Sequence, residues 1–187
     1  MRIVGGEKRG LKLNELYKEN TCRPTIDRVK EAIFDIIQFD IEGDALDLCA
    51  GTGQIGLEAL SRGCEKVVFC DNDENAIKLI KENIKRAKYE EKAEVLFCDY
   101  KKYLKLHTGE NRFKLIFIDP PYDTGLSDKA LAVIGEGEIL RNDGIVVIEC
   151  GKREIKPLNC GKLVLKKRYN YGQIAVLIYT IPNLEGE

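Results

Sequence analysis

Histidine is nearly absent from this chain: among 187 residues there is one, His107, together with one methionine and no tryptophan. Without imidazole, Ser-His-Asp triads and most histidine-based metal centres are excluded unless His107 supplies the ring. Lying in a polar stretch, His107 reads as a surface loop residue. No apolar run approaches the ~20 residues needed to span a bilayer. The first thirty residues are charged and broken by glycine and proline, so no secretory apolar region is expected. The expectation is a cytoplasmic protein without a membrane partner. No C-x-x-C pair occurs among the seven cysteines, Cys22, Cys49, Cys64, Cys70, Cys98, Cys150 and Cys160. Four of them, Cys49, Cys70, Cys98 and Cys150, close apolar runs. They fit small buried thiols in a reducing compartment better than a disulfide framework or a zinc site. No metal is expected.

Neither sign of charge is in excess: 30 Lys and Arg face 31 Asp and Glu, for a net charge of −1. The near-neutral total hides a segregation. Residues 1–30 hold eight Lys or Arg against four acids, and residues 151–170 hold seven against Glu154 alone. Residues 31–150 hold 15 against 24. Two basic ends flanking an acidic centre are compatible with ordinary solvated surface, and also point toward nucleic acid.

At roughly 150 residues per domain the length predicts one globular unit, and a 44% hydrophobic share is enough to bury a core. Residues 2–13 alternate short apolar pieces with Gly5-Gly6 and Lys8-Arg9-Gly10, predicting a small β-hairpin. A polar connector over 14–24 follows. Thr25 is a candidate N-cap for a helix carrying Ile26, Val29, Ile33, Ile36 and Ile37 on one face. The division expected is an N-terminal extension over 1–24 and a main domain over 25–187. Strands are predicted at 45–49, 66–70, 93–98, 114–118 and 144–150, separated by helical spacing at 55–60, 76–87, after Asp99, and at 126–134. Strands apolar on both faces between amphipathic helices indicate an α/β fold with a mostly parallel sheet. The last two runs, 163–169 and 174–181, flank Asn170-Tyr171-Gly172-Gln173 with no helix between them, so the chain closes with an antiparallel hairpin.

The first strand runs into Asp47-Leu48-Cys49-Ala50-Gly51-Thr52-Gly53-Gln54-Ile55-Gly56, and Asp71 ends the next strand. Formally this matches a dinucleotide-binding glycine loop with its downstream acid. Asp47 tilts the balance. An anionic pyrophosphate would be repelled by a carboxylate facing the loop, whereas S-adenosylmethionine brings an ammonium and a sulfonium that it would attract, by up to ~4 kcal/mol at 4 Å before desolvation. On this reading Gly51 and Gly53 approach the cofactor, Asp71 accepts from its ribose hydroxyls, and Asp99 reaches its adenine amino group. Asp99 is equally well placed to cap a helix.

The fourth strand ends in Asp119-Pro120-Pro121-Tyr122. Two prolines fix φ and remove two backbone donors, so the turn projects a carboxylate, bare carbonyls and a ring from a rigid corner at the sheet's carboxyl edge. This corner, with Asp47…Gly51-x-Gly53 after the first strand, resembles the class I methyltransferases that modify exocyclic amino groups of bases. The resemblance implies that Asp119 and the Pro120 carbonyl accept the amine hydrogens and orient its lone pair, while Tyr122 stacks on the extruded base. Guanine offers adjacent N1–H and N2 donors, which a carboxylate accepts together, whereas adenine's donor beside an acceptor suits an amide better.

The corner and glycine loop, with Arg23-Pro24-Thr25…Asp27-Arg28-Val29-Lys30-Glu31-Ala32 and Gly56-Leu57-Glu58-Ala59-Leu60-Ser61-Arg62-Gly63, resemble the bacterial RsmD family over nearly the whole chain. Cys49 stands where that family commonly has Phe. The resemblance implies a Rossmann-like class I methyltransferase fold with a seven-stranded sheet, S-adenosylmethionine as cofactor, and methylation of a guanine N2 in 16S ribosomal RNA, either free or in the small subunit or its assembly intermediate. RNA contacts are expected from Lys8, Arg9 and Lys12 on the hairpin and from Arg23 and Arg28. Other amino-group methyltransferases (DNA adenine N6 or glutamine), an NAD-dependent oxidoreductase and an RNA-binding module with a vestigial pocket remain alternatives.

Overall fold

The sheet is built from the apolar runs, and its order explains where a ligand can bind. In the computed structural model, which describes residues 1–15, 23–121 and 124–182, eight strands form one sheet. They are β1 (Asp44–Leu48), β2 (Lys66–Asp71), β3 (Ala93–Phe97), β4 (Phe113–Ile118), β5 (Leu140–Gly151), β6 (Asn159–Cys160), β7 (Leu163–Tyr171) and β8 (Ile174–Thr180). Their order is β3-β2-β1-β4-β5-β8-β7-β6, with β1 to β5 parallel and β6 to β8 antiparallel. Seven strands were expected; the extra one, β6, is a two-residue pairing against Leu163 and Val164, too short to show as an apolar run. Chain order reverses between β1 and β4, which opens a crevice at their carboxyl ends.

Helices cover both faces: α1 (Arg23–Ile36), α2 (Gln54–Arg62), α3 (Glu74–Ala87), α4 (Tyr100–Leu106) and α5 (Leu126–Gly137). Against one face α1, α2 and α3 pack Ile33, Phe34, Leu57, Leu60 and Ile80 onto Ala45, Phe69, Phe117 and Val147. Against the other, α4 and α5 pack Leu104, Leu131 and Ile134 onto Leu46, Val68, Ile116 and Val146. Each such fully buried side chain stabilises the fold by about 1.5–3 kcal/mol, which is why these strands are apolar on both sides. Helix α1 starts at Arg23, two residues before the predicted cap Thr25; Pro24 fits its first turn, where no backbone N–H is required. Side chains of 23–26 lie outside the described residues.

The N-terminal segment is a hairpin held by Ile3 N–H to the Leu11 carbonyl (3.0 Å), Gly10 N–H to the Ile3 carbonyl (2.9 Å) and one bridge, Arg2 with Lys12. Ile3 and Leu13 enter the same apolar cluster as α1 and α2. Buried Glu58 on α2 accepts from Val4 N–H (2.8 Å), Gly5 N–H (2.7 Å) and Arg62 Nε (2.8 Å), while buried Lys30 donates to the Arg2 carbonyl at 2.5 Å. Gly6 has a left-handed φ of 72°, and a Cβ on it would lie 1.9 Å from the Ser61 carbonyl oxygen. Glu7 N–H donates to that oxygen and its carboxylate accepts from Tyr89, so the hairpin tip sits at the end of α2, beside the amino ends of the strands. Among the described residues no helix is long and apolar enough to cross a membrane.

Candidate active site

The loop from β1 to α2 is shaped by left-handed backbone at Cys49 (φ 67°), Gly51 (φ 55°) and Gly53 (φ 74°). Cys49 and Ala50 N–H both donate to the Cys70 carbonyl, at 2.9 and 3.1 Å, which fastens the loop to β2. Gly51 N–H donates to Asp71 Oδ2 (2.8 Å), and Asp73 N–H to Asp71 Oδ1 (2.9 Å). A Cβ at Gly51 would meet nothing within 4 Å, so this stretch of backbone faces open space. Gly56 serves packing instead: a Cβ there would fall 2.3 Å from the Phe69 ring.

Asp47 lies beneath this loop rather than on its surface. It is 1% exposed and accepts from Gly56 N–H at 2.8 Å, in the first turn of α2. Its carboxylate thus braces the loop from below through Gly56 N–H, and direct contact with a cofactor ammonium stays an expectation of the sequence. Burial pushes its carboxyl up to about 7 against the Gly56 hydrogen bond, and Asp71 pushes it the same way. Asp71 is partly exposed, each of its oxygens taking one loop N–H. Asp99 is exposed and N-caps α4, accepting from Lys101 N–H (2.9 Å) and Lys102 N–H (3.2 Å).

Past β4, Asp119 is half-buried, Pro120 buried and Pro121 exposed; Thr124 Oγ1 donates to the Pro121 carbonyl at 2.9 Å. Tyr122 lies outside the described residues. Burial first, then Glu149 and Asp47, raise the Asp119 carboxyl well above the usual carboxylate range. Glu149 is a site residue that sequence reasoning missed. Ile118 pairs with Ile148, which sets Asp119 beside Glu149; the visible signal was a lone acid inside the apolar run of β5. Cys49 marks where the acids converge: burial and then Asp71, Asp47, Asp119 and Asp99 push its thiol up to about 12. It is therefore no nucleophile at neutral pH.

The basic residues are distributed differently. Arg9 and Arg28 line a groove of about 350 Å³ with Arg2, Asp27 and Glu31, where Arg2 Nε ion-pairs with Asp27 at 3.3 Å. Lys12 is exposed, and Lys8 Nζ lies 5.6 Å over the Tyr89 ring. The tip carrying Lys8 and Arg9 is thus at the opposite sheet edge from Asp119. The Arg23 side chain lies outside the described residues. His107 closes α4 with Nδ1 2.7 Å from Glu110 Oε1. Among the described residues no group of three or more His, Cys, Asp or Glu could hold a metal ion.

A parallel sheet reversing at β1/β4, ending in an antiparallel pair, with a glycine loop after β1, an acid after β2 and a proline corner after β4, defines an α/β methyltransferase fold. A methylase of known structure from Haemophilus influenzae, HI0767, superposes with a TM-score of 0.81 at 28% identity, covering 97% of this chain and 98% of that one. More distantly, an RNA methyltransferase from Salinibacter ruber in complex with S-adenosyl-L-homocysteine shares the fold, with a TM-score of 0.61 at 18% identity over 90% and 97%. The chain belongs to the RsmD family, whose model, described as Conserved hypothetical protein 95, matches residues 1–180. It is 39% identical to YlbH of Bacillus subtilis over 96% of this chain and 98% of that protein. It is 35% identical to Ribosomal RNA small subunit methyltransferase D of Haemophilus influenzae, over 84% and 81%.

Proposed function

We propose that this protein transfers a methyl group from S-adenosylmethionine to the exocyclic N2 of a guanine in 16S ribosomal RNA. The observation that carries the reading is the half-buried Asp119 on its proline corner, one strand from an open glycine loop ringed by acids. The named activity of the Haemophilus relative supports ribosomal RNA as substrate. The donor set supports the cofactor: four carboxylates whose fields meet at Cys49 suit a cation and oppose a pyrophosphate, which disfavours an NAD enzyme. When bound, S-adenosylmethionine supplies an electrophilic methyl group on a cationic sulfonium.

The chain's own residues then do the rest. Gly51 lets the backbone approach the cofactor closely, without a side chain in the way, and Gly53 shapes the loop through its left-handed φ, its Cα facing Ile80 and Phe69. Asp71 keeps a second lone-pair direction on each oxygen for the ribose hydroxyls, and Asp99 combines helix capping with contact to the adenine amino group. Asp47 acts through space from below the loop, ionising more readily when a cation lies above it. Asp119 accepts from N1–H and N2 of the guanine, and the Pro120 carbonyl takes the other amino hydrogen, so the nitrogen lone pair is turned toward the methyl carbon. Pro121 stiffens the corner, and Tyr122 stacks on the base. The raised proton affinity of Asp119 also suits it to receive the proton that the methylated nitrogen sheds.

Lys8 and Arg9 at the remote hairpin tip, Lys12 at the hairpin base, Arg28, and Arg23 at the entry to α1 hold RNA phosphates. Mass-spectrometric mapping of methylated nucleosides in ribosomal RNA from cells lacking the protein tests the assignment. Loss of one N2-methylguanosine from 16S RNA, restored by the wild-type chain and not by Asp119→Ala, is the expected result. An unchanged modification map would remove it.

A further inference from the structure

The second basic run, over 151–170, is sorted by the structure into cations that are consumed internally and cations that are not. Lys156 is buried and ion-paired with Glu154 (2.8 Å) and Asp128 (3.2 Å), and donates to Ser127 Oγ at 2.7 Å. Lys162 pairs with Glu138. Arg168 donates to the Glu154 carbonyl (3.0 Å) and the Lys152 carbonyl (2.7 Å). Lys152, Arg153, Lys166 and Lys167 remain exposed without an ion pair among the described residues. Lys166 and Lys167 lie on β7, Lys167 Nζ 5.1 Å over the Tyr169 ring, while Lys152 and Arg153 stand together in the loop after β5.

The bonds of Lys156 and Arg168 brace one loop, the one that leaves β5. Lys152 N–H donates to the Gln173 carbonyl (2.8 Å), Gly151 N–H to Glu154 Oε1 (2.8 Å), and the Tyr179 hydroxyl to the Pro157 carbonyl (2.7 Å). In this stiff loop Ile155 is 92% exposed, two residues after Arg153 with the inward-bonded Glu154 between them, and Leu158 is 69% exposed. A lone exposed aliphatic residue is ordinary on a surface. Apolar side chains on a loop held this firmly, beside unpaired cations and just past the end of the strand next to Asp119, are not what a solvated loop needs. The tip of the β7–β8 hairpin, with Tyr171, shares the same sheet edge, because Gly151 pairs with Ile174.

We propose that the loop 152–155 is a second RNA contact, at the rim of the active site and distinct from the arginine groove. Lys152 and Arg153 hold phosphates flanking the target nucleotide. Ile155 packs against the base face bared when the target guanine leaves its stack, an apolar wedge of the kind that stabilises unstacked nucleic acid. The proposal rests on the reading that the substrate is RNA.

The test uses the full chain, an in vitro transcript of small-subunit ribosomal RNA with 2-aminopurine next to the modified nucleotide, and labelled S-adenosylmethionine. Retained S-adenosylhomocysteine affinity establishes that each variant is folded. Lys152→Ala with Arg153→Ala should lower the salt slope of RNA binding by about 2 and raise KM for RNA. Ile155→Ala should lower kcat about tenfold, leave RNA affinity within about twofold, and abolish the 2-aminopurine fluorescence rise. An unchanged salt slope in the double variant, or an Ile155→Ala enzyme with wild-type kcat and fluorescence, overturns the proposal. So does poor solubility of the variants with wild-type RNA kinetics, which would make these charges determinants of solubility alone. Should the wild type itself transfer no methyl group to RNA, it is the ribosomal RNA assignment that fails.

Discussion

Asp47 and Asp119 are both acids near the cofactor cradle, yet burial separates their roles. Asp119 is half-buried at the open edge and touches substrate in the proposed chemistry. Replacing it with Ala should therefore abolish methyl transfer and leave S-adenosylhomocysteine affinity near wild type by calorimetry. Asp47 is enclosed, with a carboxyl near 7 in the folded chain against 3.8 for the free side chain. Between about pH 4 and 7 the folded state binds the extra proton, so this group's contribution to stability falls as pH rises through that window, by up to about 1.4 kcal/mol per pH unit. Asp47→Asn keeps an acceptor for Gly56 N–H and removes the titration. Urea midpoints of the variant should fall less steeply than the wild type's over that range, and its affinity for the cationic cofactor should lose its rise near pH 7. The residue types and spacing of both acids were legible in the sequence, because glycine and proline punctuate them. Their depth was not: Asp47 follows the same apolar pattern whether it points at the loop or under it, and Glu149 joins the site only through strand register.

Most elements could be read directly, since strands buried on both faces are continuous apolar runs and α3 shows a clear helical stripe ending at Ala87. What the pattern could not convey is how the N-terminal hairpin docks, because the anchor is polar. Glu58 sits mid-helix and reads as an ordinary solvated acid. In the fold it is 0% exposed, takes two hairpin N–H groups and Arg62, and lies 3.7 Å from buried Lys30. Glu58→Ala leaves the two hairpin N–H groups without their acceptor and buried Lys30 without its counter-ion, holding only the Arg2 carbonyl, so a loss of about 3–5 kcal/mol is expected in urea unfolding. The amides of Ile3 and Gly10 should lose protection from hydrogen exchange before the sheet does. If the hairpin amides keep their protection, apolar packing of Ile3 and Leu13 alone holds the extension.

At the scale of the whole molecule, charge and topology act together. From the acidic centre of the sequence Asp47, Asp71, Asp99, Asp119 and Glu149 gather at the carboxyl ends of the strands, and the two basic ends fold to different places around the sheet. Strands of five or six residues at ~3.3 Å each set the hairpin tip at least ~16 Å from Asp119, across the height of the sheet. A phosphate held between Arg9 and Arg28 therefore belongs to a nucleotide remote from the one being modified. It follows that the groove should matter in proportion to substrate length. Arg9→Ala with Arg28→Ala should weaken binding to a complete small-subunit RNA, with a salt slope reduced by about 2. The same pair of changes should leave a short transcript centred on the target guanine bound and methylated as by the wild type, since that RNA ends before it reaches the groove. Filter binding of both RNAs over a salt series distinguishes the outcomes. An equal loss on the short transcript would mean that the RNA wraps the molecule far more tightly than the position of the hairpin allows. An equal indifference on both would leave the groove outside the interface, with the rim at the carboxyl edge as the main electrostatic grip.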